Sequence, residues 1–478
     1  MKENAPQNAG NPGAFATLVT IFFFWGFVAA SNDILIPVFK KAMQLEQWQS
    51  QMVSFAFYVA YAVGAFLYFI LSSIRKKDIL NELGYRNGLA LGLIISAIGT
   101  LLFIPASNNV SFPLFISGLF IVGLGFSLQQ IAANPLAIRM GDPAKGNMRL
   151  SLAGGINNVG TTLGPVVVSF AIFGASGSPS GDLDLTAVQT PYLALGAAFL
   201  LAAIFFKFSK VPDRMEESNK KEEGGIMKVL SYPQLAMGMI AIFVYVGVEV
   251  ATAGNLGELM KQELHFEENQ IAPFVSLFWA SLMIGRWASA AGAFNVSESM
   301  NKVLGVVLPF VAFGIFLAVN YIAGHELSPL YPYALLVVVL IIADMISRGN
   351  PIQQLLIYSL LGIAALLTGM FTHGMISVFA MVAVGLFCST LWPCIFTLAI
   401  SGLGALTNTG SSLLVMMIMG GGFISVLQGY LADPAILGIK MSYAVGIFCF
   451  AYLAFYSVVV KKAFMKQGIS LSTEKINH

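Results

Sequence analysis

Apolar runs recur along nearly the whole chain, and each is close to the length of about 20 residues that a helix needs to cross a bilayer. Of the 478 residues, 57% are hydrophobic and only 10% are charged, which is too little polar surface for a soluble protein of this size. The alternating segments of about 10 residues that build membrane barrels are not seen in the sequence. We therefore predict an all-α, polytopic membrane protein.

Fourteen candidate spans follow from these runs. The N-terminal six are Ala14–Phe39, Met52–Ile74, Tyr85–Ile104, Phe112–Ala137, Leu150–Phe173 and Tyr192–Phe208. The C-terminal eight are Gln234–Met260, Ile271–Ala291, Lys302–Ala323, Tyr331–Ile346, Gln353–Phe371, Met375–Ala399, Ser411–Leu431 and Tyr443–Lys461. Between the two sets lies a charged stretch that is nearly free of apolar residues and reads as a solvated linker.

This pattern predicts a division into two bundles. We expect an N-terminal six-helix bundle over 1–209, a cytoplasmic linker over 210–228 and a C-terminal bundle over 229–478. The C-terminal bundle is the longer one, and we place an inserted helix pair around 324–372. The expected total is twelve core helices and two additional spans.

Basic residues are distributed unevenly between alternate loops. If the N-terminus is cytoplasmic, the outer loops hold only Lys40, Lys41, Lys261 and Lys440 of the 25 basic residues. Lys and Arg concentrate on the cytoplasmic side of membrane proteins. We therefore expect a multi-pass protein of a bacterial inner membrane with both termini in the cytoplasm.

Strongly polar side chains interrupt these apolar spans. Polar groups in hydrocarbon are costly and usually mark a wet path through a bundle.

The two halves of the chain also repeat one pattern. Each has a proline-interrupted helix (AANPLAIRM and LWPCIFTLAI), then a short inner loop and a helix of small residues. Repeated halves that hold a substrate near the membrane midplane are typical of alternating-access carriers, so we interpret the chain as a transporter.

The first span offers an acid for ion coupling. Gly26, Ala30 and Asp33 lie on one helical face, so the carboxyl projects from a stripe of small residues. A carboxyl there can be neutral in a dry cavity and charged when water or a cation enters. The alternative is a structural acid near the outer interface, since Pro37 is only four residues away. The adjacent Asn32 is a candidate for substrate binding.

The fourth and fifth spans supply amides. Gln130 and Asn134 share one face, and Pro135 frees a backbone carbonyl by interrupting the helix. Amides both donate and accept hydrogen bonds, which suits sugar hydroxyls without adding charge. Hydrogen bonding between helices is the alternative for both, and for Gln129 on another face it weighs as much as binding.

The adjacent amides of the fifth span, Asn157 and Asn158, point to different sectors of their helix. We therefore expect one of them to face the cavity and the other to bond a neighbouring helix. Gly160 and Gly164 form a small-xxx-small pair, which favours close helix packing over a role in binding.

The C-terminal half contributes a second acid and aromatic rings. Glu249 shares a face with Tyr245, and it is predicted to be a coupling site or a sugar acceptor, with a buried ion pair or amide contact as the alternative. Trp279 and Trp392 can stack on a sugar ring, although tryptophan is also common at membrane interfaces. Arg286 is expected to anchor the inner end of its helix.

Other functional classes fit the sequence less well. A membrane enzyme needs a clustered nucleophile, base or metal set, and no such spacing occurs. A passive channel needs no coupling acid, and a receptor would be expected to add a signalling domain. A neutral monosaccharide is the favoured substrate because no basic residue was placed deep within a span to hold an anion. The expected partners are the sugar and the lipid bilayer, without nucleic acid, and the expected state is a monomer.

Five stretches carry a resemblance to a known family. They are FFFWGFVAASNDILIP, QQIAANPLAIRMGDP, YVGVEVATAGNLGELM, FWASLMIGR and PCIFTLAISGLG. They resemble the signature stretches of the fucose:proton symporter family of the major facilitator superfamily, which includes bacterial glucose/galactose transporters. The resemblance implies a twelve-helix core of two six-helix bundles and proton- or cation-driven import of a monosaccharide.

The resemblance extends to individual positions. Asp33 matches the family's proton-linked aspartate, whereas Gln130 stands where the proton-coupled fucose carriers have a glutamate. Ser151 and Gly154 replace an amide pair of the fifth helix. Coupling through Asp33 alone, through Glu249 or through Na⁺ instead of H⁺ therefore stays open, as does uniport, and no other cofactor is implied. Glucose, galactose, fucose, fructose and N-acetylated amino sugars are not distinguished.

Overall fold

The computed structural model describes residues 12–42, 47–173, 189–213, 226–266, 268–294 and 296–469. These residues form helices and their connections, with no β-strand among them, so the all-α prediction is confirmed. The side chains of Asn32 and Asp33 lie outside the described residues, as does most of the predicted linker.

Eight α-helices lie in the described part of the chain before this linker. They are α1 (Pro12–Ala42), α2 (Gln47–Arg75), α3 (Ile79–Leu83), α4 (Tyr85–Leu101), α5 (Phe103–Asn108), α6 (Phe112–Arg139), α7 (Gly146–Phe173) and α8 (Gln189–Phe208).

Eleven more follow it. They are α9 (Pro233–Leu264), α10 (Glu268–Ala290), α11 (Glu298–Ile322), α12 (Ala334–Ser347), α13 (Pro351–Phe371), α14 (Gly374–Cys388), α15 (Leu391–Ile400), α16 (Thr407–Met416), α17 (Gly420–Leu431), α18 (Gly438–Ser442) and α19 (Ala444–Gln467). Short 3-10 helices join several of these.

Each predicted span overlaps one or two of these helices. Within the described residues, 11 helical segments are long and apolar enough to cross a membrane, and Gly13–Val28 and Tyr192–Phe208 are shorter apolar helices. Multi-span insertion into a bilayer follows, whereas the count of twelve core helices plus two stays a prediction.

The chain divides into two compact units. Unit 1 comprises Met1–Met140, Val159–Val229 and Leu403–Ile418, and unit 2 comprises Gly141–Asn158, Leu230–Gly402 and Met419–His478. The segments 141–158 and 403–418 occupy corresponding places in the repeated sequence pattern. Each of them packs with the helices of the other half of the chain.

Glycines bring α4 and α6 of unit 1 into backbone contact. A Cβ placed on Gly92 would lie 2.8 Å from the carbonyl oxygen of Gly125, and a Cβ on Gly125 would lie 2.4 Å from that of Gly92. Two turns away, a Cβ on Gly99 would lie 2.8 Å from the carbonyl oxygen of Gly118. Close packing of this kind holds membrane helices together, because lipid supplies little hydrophobic force between them.

In unit 2, α9 lies among α10, α14, α15, α17 and α19, so most of its length is enclosed by other helices. The helix α13 packs against α14, α15 and α19, while α11 lies mainly against α10. This arrangement places the middle of α9, including Glu249, inside the unit.

Candidate functional site

Gln129 of α6 is fully buried in unit 1, and both ends of its amide are bonded. Trp25 of α1 donates its indole N–H to Oε1 at 2.9 Å, and Nε2 donates to Ser96 Oγ of α4 at 3.2 Å. Gln129 thus links three helices, and this geometry favours hydrogen bonding between helices over contact with a substrate.

Gln130 and Asn134 turn to another side of α6. Gln130 is half-buried, and its Nε2 donates to Tyr61 Oη of α2 at 3.1 Å. Asn134 is 1% exposed, and its Nδ2 has no hydrogen-bond partner among the described residues. A buried amide left unpaired costs about 1–3 kcal/mol, so this face of α6 retains a donor that a bound hydroxyl would satisfy.

Pro135 alters the backbone of the same helix. A proline cannot donate to the carbonyl four residues before it, which here belongs to Ile131. Ser411 of α16 donates its hydroxyl to that carbonyl at 3.0 Å. The carbonyl freed by the proline therefore serves as the attachment point of segment 403–418 in unit 1.

In unit 2, Tyr245 and Glu249 lie one turn apart on α9. The buried Tyr245 hydroxyl donates a short hydrogen bond to Glu249 Oε2. The ring of Trp392 on α15 lies with its centroid 6.3 Å from that of Tyr245 and is half-buried. An acid, a phenol and an indole therefore meet within the same unit, beside the start of α15.

Arg286 of α10 joins this group to α7. Its Nη1 donates to Asn158 Oδ1 at 2.6 Å and to the Gly154 carbonyl at 3.2 Å, and its Nε donates to the Ser389 carbonyl at 2.9 Å. Its charge also acts on the Glu249 carboxylate. Arg286 stands four residues before the end of α10, near the helix end where the sequence predicts it.

The two amides of α7 differ in their surroundings. Asn158 is 4% exposed and accepts the bond from Arg286, while Asn157 is half-buried. Trp279 of α10 is 39% exposed, and its described ring contact is with the edge of Phe278, so no described ring contact joins it to Tyr245 or Trp392.

A second polar network of unit 2 holds the first turn of α7. Asn147 Nδ2 donates to Gln354 Oε1 at 3.1 Å, and Gln354 Nε2 donates to Asp344 Oδ1 at 2.9 Å and to Ser289 Oγ at 3.3 Å. Asp344 and Gln354 both lie within predicted spans, and a polar residue inside an apolar span is the sequence feature that could have pointed to this network. Among the described residues, the hydrogen-bond partner of Asp344 is the side-chain amide of Gln354.

The neighbouring Met148 fits between two glycines. A Cβ on Gly292 would lie 2.2 Å from Met148 Sδ, and one on Gly349 would lie 2.0 Å from Met148 Cε. Gly349 also has a φ of +69°, a conformation that other residues rarely adopt. The start of α7 is therefore held in unit 2 by a polar bond and by a side chain seated against two glycines.

Unit 1 holds segment 403–418 in a comparable way. Asn408 accepts from Tyr85 Oη at 2.6 Å and donates to Asp78 Oδ1 at 3.1 Å. Arg139, at the end of α6, donates to Thr407 Oγ1 at 2.5 Å. These contacts join residues about 270 to 330 positions apart in the chain, so the spacing of residues in the sequence does not reveal them.

An all-helical chain of many membrane-length segments, with acids and amides enclosed in each unit, has the architecture of a membrane transporter. The chain belongs to the Major Facilitator Superfamily, whose family model matches residues 13–426. This is a superfamily of transporters, so the predictions of a transporter rather than an enzyme and of this superfamily are confirmed.

Particular relatives narrow the resemblance. A glucose/galactose transporter of Brucella abortus (strain 2308) is 32% identical over 455 residues, which cover 94% of each chain. The L-fucose-proton symporter of Escherichia coli (strain K12) is 28% identical over 469 residues, which cover 93% of this chain and 92% of that one. A crystal structure of the E. coli fucose:proton symporter aligns with a TM-score of 0.71 and 25% identity, over 93% of this chain and 98% of that chain. The resemblance to the fucose:proton symporter family is therefore confirmed.

Proposed function

We propose that this protein is a secondary active transporter that imports a neutral monosaccharide of the hexose class by cation-coupled symport with alternating access. The observation that carries the proposal is the acid Glu249, bonded by Tyr245 inside apolar helices, in a chain whose relatives are named glucose/galactose transporter and fucose-proton symporter. Ionisable groups within membrane helices are costly, and they mark paths for ions or substrates.

A neutral substrate fits the charges of these groups. The positive charge of Arg286 is offset by the negative charge of Glu249 in the same unit, so the two groups together leave no excess positive charge for an anionic sugar. In unit 1, Gln130 and Asn134 offer uncharged amides that can donate to and accept from hydroxyls. The half-buried ring of Trp392 offers an apolar face of the kind on which sugar rings stack.

The coupling ion is H⁺ or Na⁺, and the coupling groups are Asp33 and Glu249. Gln130 is bonded to Tyr61 and stands where the fucose carriers that this chain resembles have a glutamate. Because this position is neutral here, Asp33 and Glu249 are the acids left to couple transport to a cation. The transporter is placed in a bacterial inner membrane as a monomer, with both termini in the cytoplasm, twelve core spans and one inserted pair.

Counterflow of labelled sugars in liposomes, followed by uptake under imposed proton and sodium gradients, tests this function. Exchange of a hexose with gradient-driven accumulation is the expected result. Failure of every hexose to exchange contradicts the substrate class, and exchange without accumulation under either gradient indicates a uniporter. Asp33→Asn should retain counterflow and lose accumulation, and accumulation by that variant would exclude Asp33 as the coupling acid.

Two adjacent residues give a matched test of substrate binding. Gln130→Leu removes an accessible amide, so we expect the KM for the sugar to rise roughly tenfold, as loss of a hydrogen bond worth about 1–3 kcal/mol implies. Gln129→Leu leaves the N–H of Trp25 and the hydroxyl of Ser96 without their partner, so it should lower Tm and leave KM nearly unchanged. If Gln129→Leu instead raises KM and Gln130→Leu lowers only Tm, Gln129 is the substrate-binding residue and Gln130 is the one that joins helices.

A further inference from the structure

Arg286 has hydrogen-bonding capacity that the observed contacts do not use. A guanidinium carries five N–H donors in a fixed planar fork. Nε bonds the Ser389 carbonyl, and Nη1 bonds both Gly154 and Asn158. Nη2 has no hydrogen-bond partner among the described residues, so this nitrogen is the part of the fork that can turn towards another acceptor.

The acid within electrostatic range of this side chain is Glu249. Tyr245 on its own helix donates to it, and the positive charge of Arg286 on α10 attracts it, while the nearby Cys388 on α14 is a buried, neutral thiol. The other described titratable groups of α9 and of the helices packed against it have other partners, are exposed or are neutral thiols. Cys394 bonds Gln354, and Tyr443 bonds the Thr252 carbonyl. Tyr452 and Tyr456 bond carbonyls near the start of α9, and Lys440 pairs with Glu263 at its end. Cys449 is a buried thiol, and the exposed groups are Tyr430, Glu258, Lys261, Lys461, Lys462 and Lys466.

We propose that Arg286 is a positioning residue that shares its guanidinium between Glu249 on α9 and Asn158 on α7, so that a change in the charge of Glu249 is passed to α7. This inference rests on the proposed function, in which Glu249 binds and releases the coupling cation. A carboxylate attracts a guanidinium more strongly than an amide or carbonyl oxygen does, because the two groups carry full opposite charges. An ionised Glu249 therefore draws the guanidinium away from the neutral acceptors of α7, and a neutralised Glu249 leaves it there.

The contact face of α7 explains how such a change spreads. Asn147, Ser151, Gly154 and Asn158 follow one another at intervals of three or four residues, so they form one helical face. All four are buried or half-buried in unit 2, and the face is bonded at its start by Gln354 and at its end by Arg286. Loss of the Arg286 bonds weakens the attachment of one end of this face, while the bond to Gln354 at the other end is kept.

The neighbouring Trp287 reports on this contact. A Cβ on Gly155 of α7 would lie 2.6 Å from Cδ1 and 2.8 Å from Nε1 of Trp287, so the indole lies directly against the α7 backbone. Any movement of α7 away from Arg286 changes the surroundings of this ring. Trp287 is one of only five tryptophans, which makes its spectroscopic signal assignable.

Fluorine NMR of the full chain with 5-fluorotryptophan, in lipid nanodiscs, tests the proposal. The Trp287 resonance, assigned with Trp287→Phe, is followed between about pH 5 and about pH 9, an interval in which a buried carboxyl can titrate. In the wild type we expect the resonance to shift with pH. Glu249→Gln should hold it near its low-pH position, and Arg286→Gln should hold it at one position throughout.

Two further variants keep this result interpretable. Lys302→Gln removes an exposed positive charge of the same unit and should retain the wild-type shift. Arg286→Lys keeps the charge but loses the fork, so it should retain a smaller shift even if Arg286→Gln fails to fold. A wild-type resonance that does not move, or a shift that persists in Glu249→Gln or in folded Arg286→Gln, overturns the proposal.

Transport measured on the same variants separates the two proposals. The rate of sugar counterflow should depend on pH in the wild type, and Arg286→Gln should lose that dependence as well as part of the rate. A purely structural role would lower the rate equally at every pH, and that outcome overturns the link. Absence of sugar counterflow in the wild type, with the Trp287 shift intact, would instead refute the proposed function and leave the link standing.

Discussion

A buried carboxyl before α3 gathers donors from several elements of unit 1. Asp78 accepts from Tyr68 Oη at 2.9 Å, from the Asn81 backbone N–H at 3.1 Å, from Asn408 Nδ2 at 3.1 Å and from Thr409 Oγ1 at 3.3 Å. These donors favour the carboxylate, but burial disfavours it more strongly and raises the pKa of Asp78 above its usual value. The residue therefore supports the folded unit best when it is protonated.

The pH dependence of stability follows from this shift. Because the pKa of Asp78 is higher in the folded chain than in the unfolded chain, its stabilisation is complete below the unfolded pKa and is lost as pH rises through the folded pKa. Asp78→Asn removes the titration, so the Tm of this variant relative to the wild type should rise with pH. Thermal unfolding in detergent, from about pH 4 to about pH 8, measures the difference.

The exposed Glu82 supplies the control for that experiment. Its carboxylate pairs with Lys77 at the surface, at 3.3 Å, so Glu82→Gln removes an acid of the same region without removing a buried one. We expect this variant to show no such trend with pH. If the Tm of Asp78→Asn instead falls relative to the wild type as pH rises, the four donors outweigh burial and the assigned direction of the shift is wrong.

At the scale of the helix, the sequence predicts where the membrane spans lie, but it does not predict how each helix is rotated about its own axis. Span lengths follow from the thickness of the bilayer, and each predicted span overlaps one or two of the observed helices. Proline positions also predict which carbonyls are freed: Pro393 leaves the Ser389 carbonyl for Arg286, as Pro135 leaves that of Ile131 for another helix. The identity of the donor depends on how each helix is rotated about its axis, and the sequence pattern alone does not fix that rotation.

The contact between α4 and α6 gives a prediction for whole helices. In Gly125→Ala, the added methyl would lie 2.4 Å from the carbonyl oxygen of Gly92 and 2.2 Å from Ser96 Oγ. A backbone carbonyl cannot move aside without moving its helix, so we expect a loss of about 1–3 kcal/mol in stability, as for other overpacked cores. Thermal or chemical denaturation of the purified protein in detergent measures this loss.

Gly314→Ala is the matched control for this variant. A Cβ at Gly314 of α11 meets no atom within 4 Å, so the substitution should be neutral or stabilise the helix by up to about 1 kcal/mol through helix propensity. Equal Tm values for the two variants would show that α4 and α6 do not rely on the close approach of their backbones.

At the scale of the whole molecule, the two compact units do not correspond to two continuous halves of the chain. The segments 141–158 and 403–418 each lie in the unit formed mainly by the other half of the chain. Asn147 anchors the first segment through Gln354, and Asn408 anchors the second through Asp78 and Tyr85. Because the two anchors lie in separate units, each segment should open locally without releasing the other.

Hydrogen exchange followed by mass spectrometry tests this independence. Asn408→Ala removes hydrogen bonds worth about 1–3 kcal/mol, so exchange in peptides from 403–418 should accelerate roughly fivefold to a hundredfold. Exchange in 141–158 should stay at the wild-type rate. Asn147→Ala should give the converse result, with an increase of about fivefold for its single bond to Gln354. If either substitution accelerates exchange in both segments, the two units open as one cooperative body, and the division into two units does not describe the way the molecule opens.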